Sequence, residues 1–320
     1  MLLFAFIFSL IFGFENNTSS QNKLDESFHI IFIQGTIQMK SSGETLKRGM
    51  QLKSSEKIVF KSKDAKAVVL STTKGRFVLA PKQATASSEL TAFVSEVVSP
   101  LKTNSKLSTR AGESEKGIQD LKTHFGKVKD DFIPSFAIIG EEYLFKVDIT
   151  KYPMNIKEKI LGVTYVKENQ TINKPKGLTF QKNVATLSKN LQFKGIDLAS
   201  IDYIKIHQID MVEKKIVGEE LASFKPIFID SEELKASFQE YLSKVNINEA
   251  LTGYLTDEKT TEAEVSQKIS KMNDVSKKRE LLYFFMQECY GQFDENGKVD
   301  VQKLKIDEKS LENWLTQNNF

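Results

Sequence analysis

Cysteine, histidine and tryptophan are scarce in this sequence. Its 320 residues include one cysteine, three histidines and one tryptophan. Because Cys289 is the only cysteine, an intramolecular disulfide is excluded and the fold must be stabilised by packing. A single cysteine is common in periplasmic proteins of Gram-negative bacteria. It disfavours a small secreted eukaryotic scaffold, which would carry several disulfides.

Residues that metal sites and common catalytic motifs require are also missing. His29, His124 and His207 are far apart in the chain, and no His-x-x-x-His or Cys-x-x-Cys pair occurs. A zinc or copper site needs at least two such local ligands. The sequence has no nucleophile elbow, phosphate-binding glycine loop or His-Glu-x-x-His helix. We therefore predict no metal site, no cofactor and no enzymatic activity.

Two weaker patterns have simpler explanations than chemistry. Ser-x-x-Lys pairs begin at Ser54 and Ser71, in a region so rich in lysine and serine that we interpret both as solvated turns. Residues 293–300, FDENGKVD, resemble a calcium loop, but Gln292 and Lys303 occupy the positions that need carboxylates. We interpret this segment as a turn between two short strands.

Long apolar segments are absent after the N-terminus. Residues 2–14 form an uncharged apolar run of 13 residues. As a helix this run would reach roughly 20 Å, which is shorter than the ~30 Å hydrocarbon layer of a membrane. A signal peptide at residues 1–14 fits this length, and an uncleaved anchor or a buried N-terminal segment are the alternatives. We therefore expect an exported protein, in the periplasm or on the outer surface of a Gram-negative bacterium, with no transmembrane span in the mature chain.

The remaining composition is that of a globular protein with more than one domain. Hydrophobic residues make up 40% of the chain and charged residues 27%, and phenylalanine is frequent at 23 residues. This length suits two or three modest domains with aromatic cores. We predict an α+β protein with a small N-terminal β-roll, a β-rich middle domain and a helical C-terminal domain. The predicted boundaries are 25–100 for the first domain, 101–117 for a linker, 118–230 for the second domain and 231–320 for the third.

Short strands separated by tight turns predict the N-terminal β-roll. Residues 28–40 alternate, which places Ile31, Ile33, Ile37 and Met39 on one side of a half-buried strand. Three more strands are expected at 57–61, 65–71 and 76–80. Residues 87–98 have apolar side chains at helical spacing, so an amphipathic helix is expected to close this domain.

Residues 28–82 resemble a FecR-type β module. In that module a strand with a central glycine leads to L-x-x-G-D-x-L, then to I-x-T-x-x-x-A-x-L and a glycine turn. The matching residues are Leu46, Gly49, Leu52, Ile58, Ala65, Val69 and the Lys74-Gly75 turn. Met50 stands where the family usually has aspartate. The continuation of the chain resembles uncharacterised exported proteins of Bacteroidota, and the resemblance implies a β fold but no activity.

The other two domains are predicted from a change of period. Between residues 136 and 230 strand patterns recur, at 143–149, 161–166, 178–180, 201–211 and 226–229, and an Ig-like sandwich is one arrangement that fits. After Asp230 the period becomes helical, with caps at Asp230 and Thr261. A third helix over 275–290 is apolar all round, which predicts the centre of a bundle. A last short helix contains Trp314.

Charge is distributed unevenly along the chain. Residues 40–82 carry 11 basic and three acidic side chains, whereas residues 231–320 carry 12 basic and 17 acidic ones. A solvated polar surface, attraction between the two ends, or attraction to separate partners would each explain this asymmetry. Under the last reading, a basic binding surface is expected to include Lys47, Arg48, Lys53, Lys57, Lys61, Lys63, Lys66, Lys74 and Arg76.

These observations favour a non-enzymatic binding or scaffold protein of the cell envelope. Its basic N-terminal module would engage an anionic envelope polymer or an acidic protein partner. Nucleic acid is not expected as a partner, since export would separate the protein from nucleic acid and the basic residues lack interleaved aromatic residues. The alternatives are an enzyme that processes envelope polymers, with a site assembled from distant residues, and a signalling component that acts through a partner.

Overall fold

A computed structural model describes residues 26–62, 65–71, 75–81, 90–94, 98–100, 110–111, 117–130, 132–155, 157–168, 170–256, 260–292 and 303–320. It contains both helices and strands, with a β-rich middle region and a helical C-terminal region. The predicted α+β class is therefore confirmed. Within those residues, no helix is both long and apolar enough to cross a membrane.

The N-terminal unit consists of two small sheets. A five-stranded sheet has the order β3-β1-β5-β6-β8, and a three-stranded sheet has the order β2-β4-β7. The strands are β1 (Ser27–Gln34), β2 (Ile37–Met39), β3 (Gln51–Lys53), β4 (Lys57–Phe60), β5 (Lys66–Ser71), β6 (Gly75–Leu79), β7 (Leu90–Phe93) and β8 (Val98–Pro100). The three expected strands after β1 are confirmed as β4, β5 and β6.

Gly35 lets the chain pass from one sheet to the other. Its φ is +67°, in the left-handed region that favours glycine. A Cβ atom there would lie 2.9 Å from the Cα of Ala65. A larger residue would therefore be strained and would also push against the start of β5.

A β-bulge gives strand β1 two buried sides. The register with β5 shifts between Ile30 and Phe32, and such a bulge places two consecutive side chains on one side. Phe28 and Ile30 belong to the core between the two sheets. Ile31 and Phe32 instead pack into the core of the C-terminal helices. The prediction that only one side of this strand is buried is therefore wrong. The second side of β1 is also buried, because it contacts the C-terminal helices.

The predicted closing helix over 87–98 is wrong where the structure describes it. Leu90–Phe93 is strand β7, which pairs antiparallel with β4, and Val98–Pro100 is strand β8. Strands β7 and β8 both supply backbone hydrogen-bond partners to neighbouring strands. This pairing outweighs a helical spacing of apolar residues in so short a segment.

The middle region is built around a mixed seven-stranded sheet with the order β13-β12-β16-β17-β10-β18-β9. Its strands are β9 (Arg110–Ala111), β10 (Ser135–Ile139), β12 (Lys159–Lys167), β13 (Gln170–Gly177), β16 (Tyr203–Asp210), β17 (Lys215–Ile229) and β18 (Leu304–Asp307). Strands β17, β10, β18 and β9 run parallel to one another. An Ig-like sandwich consists of antiparallel sheets, so this suggestion from the sequence is wrong.

Two of these strands come from outside the predicted middle domain. Strand β9 lies in the predicted linker, and β18 lies in the predicted helical domain. They extend the sheet beyond β10 because β10 would otherwise present an unpaired edge. The seven-stranded sheet therefore ties three regions of the chain together.

The seven-stranded sheet has a core on each side. On one side it packs against a three-stranded sheet of β11 (Glu142–Lys146), β14 (Thr179–Gln181) and β15 (Val184–Ser188), with helices α1 (Leu121–Phe125) and α2 (Lys189–Gln192) nearby. On the other side, Ala137 and Ile229 pack against the C-terminal helices. Alternate residues of the central strands therefore serve different cores, as expected for a covered parallel sheet.

The C-terminal region contains the helices α3 (Ser231–Lys244), α4 (Ile247–Leu255), α5 (Glu262–Ser270), α6 (Asp274–Tyr290) and α7 (Glu308–Gln317). The cap predictions are confirmed: Asp230 accepts from the amide of Glu233, and Thr261 and Glu264 form a capping box. Residues 280–289 of α6 are all buried, so α6 is the predicted central helix. The predicted signal peptide and the turn at 293–300 lie outside the described residues.

Candidate functional site

The nine predicted basic residues occupy different parts of the N-terminal unit. Lys63 and Lys74 lie outside the described residues. Arg48 and Arg76 contact the C-terminal helices, and Lys66 contacts Gly291, the residue after α6. The remaining four, which are exposed, are Lys47, Lys53, Lys57 and Lys61. The fold therefore does not bring all nine residues together into a single binding surface.

Strand register places Arg76 on the side of the five-stranded sheet that faces the helices. His29 lies opposite Leu70 on β5, and Leu70 lies opposite Arg76 on β6. Directly opposed residues share one side of a sheet. This row, with Leu70 buried at its centre, packs on the helical core.

Arg76 contacts two residues of the C-terminal helices. Its Nη1 donates a hydrogen bond to Oε1 of Glu288 on α6, and the two side chains form an ion pair. Its guanidinium carbon lies 3.6 Å from the centre of the Tyr254 ring on α4, a cation–π arrangement. The Tyr254 ring in turn stacks on Phe284, with centroids 4.4 Å apart. Arg76 therefore connects the basic module to two helices at once.

Burial controls the ionisation of the groups around Arg76. The Glu288 side chain is 0% exposed, and burial raises its pKa, while the positive charge of Arg76 opposes that rise. Burial also raises the pKa of the Cys289 thiol well above its usual value. A thiol with a raised pKa is a poor nucleophile, which fits a packing role for Cys289.

Three further side chains make polar contacts that join the N-terminal unit to the C-terminal region. Nη1 of Arg48 lies 3.1 Å from Oγ of Ser237 and 3.3 Å from the carbonyl oxygen of Glu233. Nε2 of His29 lies 2.5 Å from Oε1 of Glu240. Nζ of Lys66 donates to the carbonyl oxygen of Gly291 at 3.0 Å.

These contacts account for part of the uneven distribution of charge along the chain. Basic groups of the N-terminal unit meet acidic side chains and carbonyl oxygens of the C-terminal region. Of the three readings of the charge asymmetry, contact between the two ends is therefore present in the fold. Lys47, Lys53, Lys57 and Lys61 nevertheless remain exposed in the fold.

Lysines project from the outer side of the three-stranded sheet. In β4, Ile58 and Phe60 point into the core, so Lys57 at one end and Lys61 just beyond the other lie on the opposite side. Lys40 is next to Lys57, because its backbone amide donates to the Lys57 carbonyl at 2.8 Å. Lys40, Lys57 and Lys61 are all exposed, and we call these three residues the lysine surface.

The described residues do not assemble a recognisable catalytic or metal site. No group of three histidine, cysteine, aspartate or glutamate residues among them could hold a metal ion. The His29–Glu240 pair resembles part of a catalytic triad, but within the described residues no serine, threonine or cysteine side chain hydrogen-bonds His29. Ser71, which begins one of the two Ser-x-x-Lys pairs, donates a hydrogen bond from its hydroxyl to Oε1 of Glu26 at 2.7 Å.

Sequence reasoning missed Glu288 and Tyr254. The available signal was the position of Glu288 directly after an apolar segment on a helix expected to be fully buried, since a carboxylate there needs a partner. Nothing in the sequence pairs Glu288 with Arg76, 212 residues away.

Comparison with known protein families gives no match for this chain, and comparison with curated proteins gives no significant match.

Proposed function

We propose that this chain is a non-enzymatic binding or scaffold protein of the bacterial cell envelope. Its N-terminal module would bind an anionic envelope polymer, or an acidic protein partner, through the lysine surface. The observation that carries the proposal is that Lys40, Lys57 and Lys61 are each exposed and lie on the same side of a small sheet. The apolar first residues of the chain support an envelope location.

The lysine surface suits a polymer better than a single small anion. Lys57 and Lys61 are four positions apart along an extended segment, which separates them by roughly 13 Å. An extended chain with repeated negative charges can contact such separated ammonium groups together. The attraction would be screened by salt because the groups are exposed.

A binding assay with defined polymers tests this proposal. The full chain would be titrated with dextran sulfate and with uncharged dextran at low and at physiological ionic strength. We expect saturable binding of the sulfated polymer only, weaker at the higher ionic strength. The variant with Lys40→Gln, Lys57→Gln and Lys61→Gln should bind at least several-fold more weakly.

The matched control removes three exposed lysines from the middle region by Lys157→Gln, Lys167→Gln and Lys189→Gln. It has the same net charge as the first variant, so a general loss of charge predicts equal weakening in both. Equal affinity of the two variants would contradict a role for the lysine surface. Cell fractionation of the tagged protein tests the location, and recovery in the cytoplasm alone would contradict the envelope assignment.

A further inference from the structure

A cleft of about 530 Å³ lies where the N-terminal, middle and C-terminal regions meet. Its volume is within the range of roughly 300–1,000 Å³ that is typical of ligand sites, which often form at such junctions. Gln34 and Lys66 come from opposed positions of β1 and β5, and Lys225 and Ile227 come from β17. Tyr290 closes the cleft from the end of α6.

Two polar side chains of this cleft have no polar partner among the described residues. Within the part of the chain that the structure describes, the side chains of Lys225 and Gln34 make no hydrogen bond or ion pair. Both are only partly exposed, so neither is simply a solvated surface group. The floor is built differently: Lys66 is 9% exposed and donates to Gly291, and Gln292 donates to Oγ of Ser135 at 3.1 Å.

The apolar part of the cleft lining includes an aromatic ring. The ring of Tyr290 is held edge-on by Phe32, with centroids 5.0 Å apart, and Ile133 and Ile227 lie nearby in the lining. An aromatic ring beside an amide and an ammonium group suits a ligand with a C–H face, hydroxyl groups and one negative charge. Asp202 also lines the cleft, and its carboxylate would repel a doubly charged anion more strongly than a singly charged one.

We propose that this cleft binds a monoanionic sugar acid, with the carboxylate on Lys225, hydroxyl groups on the Gln34 amide and the sugar ring against Tyr290. The site is separate from the lysine surface and shares no residue with it. One location can therefore fail its test while the other passes.

Calorimetric titration of the full chain with D-glucuronate, D-galacturonate, D-glucose and inorganic phosphate tests the proposal. We expect saturable binding of at least one uronate at about 10 mM or below, and no saturable binding of glucose. Lys225→Met should weaken uronate binding roughly tenfold or more, since it removes a charge-assisted hydrogen bond. Gln34→Ala should weaken it by a smaller factor.

Lys157→Met is the matched control, because it removes an exposed lysine of the same region that does not line the cleft. It should bind the uronate as the unaltered protein does. Circular dichroism and thermal melting would show that both lysine variants fold. The proposal is overturned if neither uronate saturates, if Lys225→Met binds as well as Lys157→Met, or if phosphate binds more tightly than both uronates.

Discussion

Arg76 and Glu288 form an ion pair between the basic module and the central helix of the C-terminal region, and the Glu288 side chain is 0% exposed. Removing one partner of a buried pair leaves the other charge without compensation, which costs about 3–5 kcal/mol. We therefore expect Arg76→Met to lower the free energy of unfolding by about that amount. Urea denaturation at neutral pH measures it.

A double-mutant cycle separates the ion pair from the packing of Arg76. The variant with Arg76→Met and Glu288→Met should be more stable than Arg76→Met alone, because no unpaired charge remains. The control is Glu312→Gln, which breaks the half-exposed pair with Arg279 and should cost at most about 1 kcal/mol. Additive effects of the Arg76 and Glu288 substitutions would show that the pair has no special role.

Because His207 is buried, we expect the protein to become less stable as the pH falls. The residue is 8% exposed, and neither ring nitrogen has a hydrogen-bond partner within the described chain. Burial lowers its pKa, with Glu220 opposing the shift and Lys205 adding to it. Below the ordinary histidine pKa of about 6.5, the unfolded chain binds a proton that the folded chain resists. Stability from this group is therefore present above that pH and is lost as the pH falls.

The substitution His207→Gln should flatten this part of the pH profile. One proton changes the slope by at most about 1.4 kcal/mol per pH unit. Urea denaturation at several pH values between about 5 and 7.5 would compare the variant with the unaltered protein. Parallel profiles over that range would mean that His207 is not the group responsible.

The capping box at the start of α5 should contribute measurably to stability. Oγ1 of Thr261 accepts from the Glu264 amide, and the Glu264 carboxylate accepts from the Thr261 amide at 2.9 Å. Thr261→Ala should therefore cost about 0.5–2 kcal/mol by thermal or urea denaturation. Thr316→Ala is the control, since Thr316 is exposed within α7 and only donates back to Glu312; its effect should be near zero. Equal costs would argue against a capping contribution.

Strand β18 should stabilise strand β10 although the two are far apart in sequence. Ala137 lies opposite Ile306 in the parallel pair, and Ile306 is 1% exposed. Ile306→Ala should cost about 2–5 kcal/mol, and Ile306→Val about 0.5–1.5 kcal/mol. Hydrogen exchange should show reduced protection of the β10 amides in the alanine variant. Unchanged protection of β10 in a clearly destabilised variant would contradict this coupling.

Much of the local structure could be predicted from short-range patterns. Short segments bounded by turn-forming residues predicted strands β4, β5 and β6, and polar caps predicted where α3 and α5 begin. Helix α4 was not predicted, because it has nine residues and contains Gly253, a combination that gives a weak helical pattern. Strand β7 was predicted as a helix because its pairing with β4 cannot be recognised from its own spacing.

Long-range features were beyond what the sequence could predict. The bulge at Ile31 reverses which side chains of β1 point inward, and a pattern of period two does not reveal it. The count of basic residues included Arg76 in the candidate site but could not identify Glu288 as its partner. The cleft around Lys225 depends on three regions meeting, so composition and spacing contain no signal for it.

The position of β18 has a consequence for how the protein folds during synthesis. Strand β10 begins at Ser135, but its neighbour β18 begins only at Leu304, much later in the chain. A ribosome would therefore have to continue translation through Asp307, the end of β18, before the seven-stranded sheet could close. Until then β10 would have an unpaired edge, which favours association with other chains. We expect nascent chains that stop before residue 304 to depend on chaperones more than chains that include β18 do.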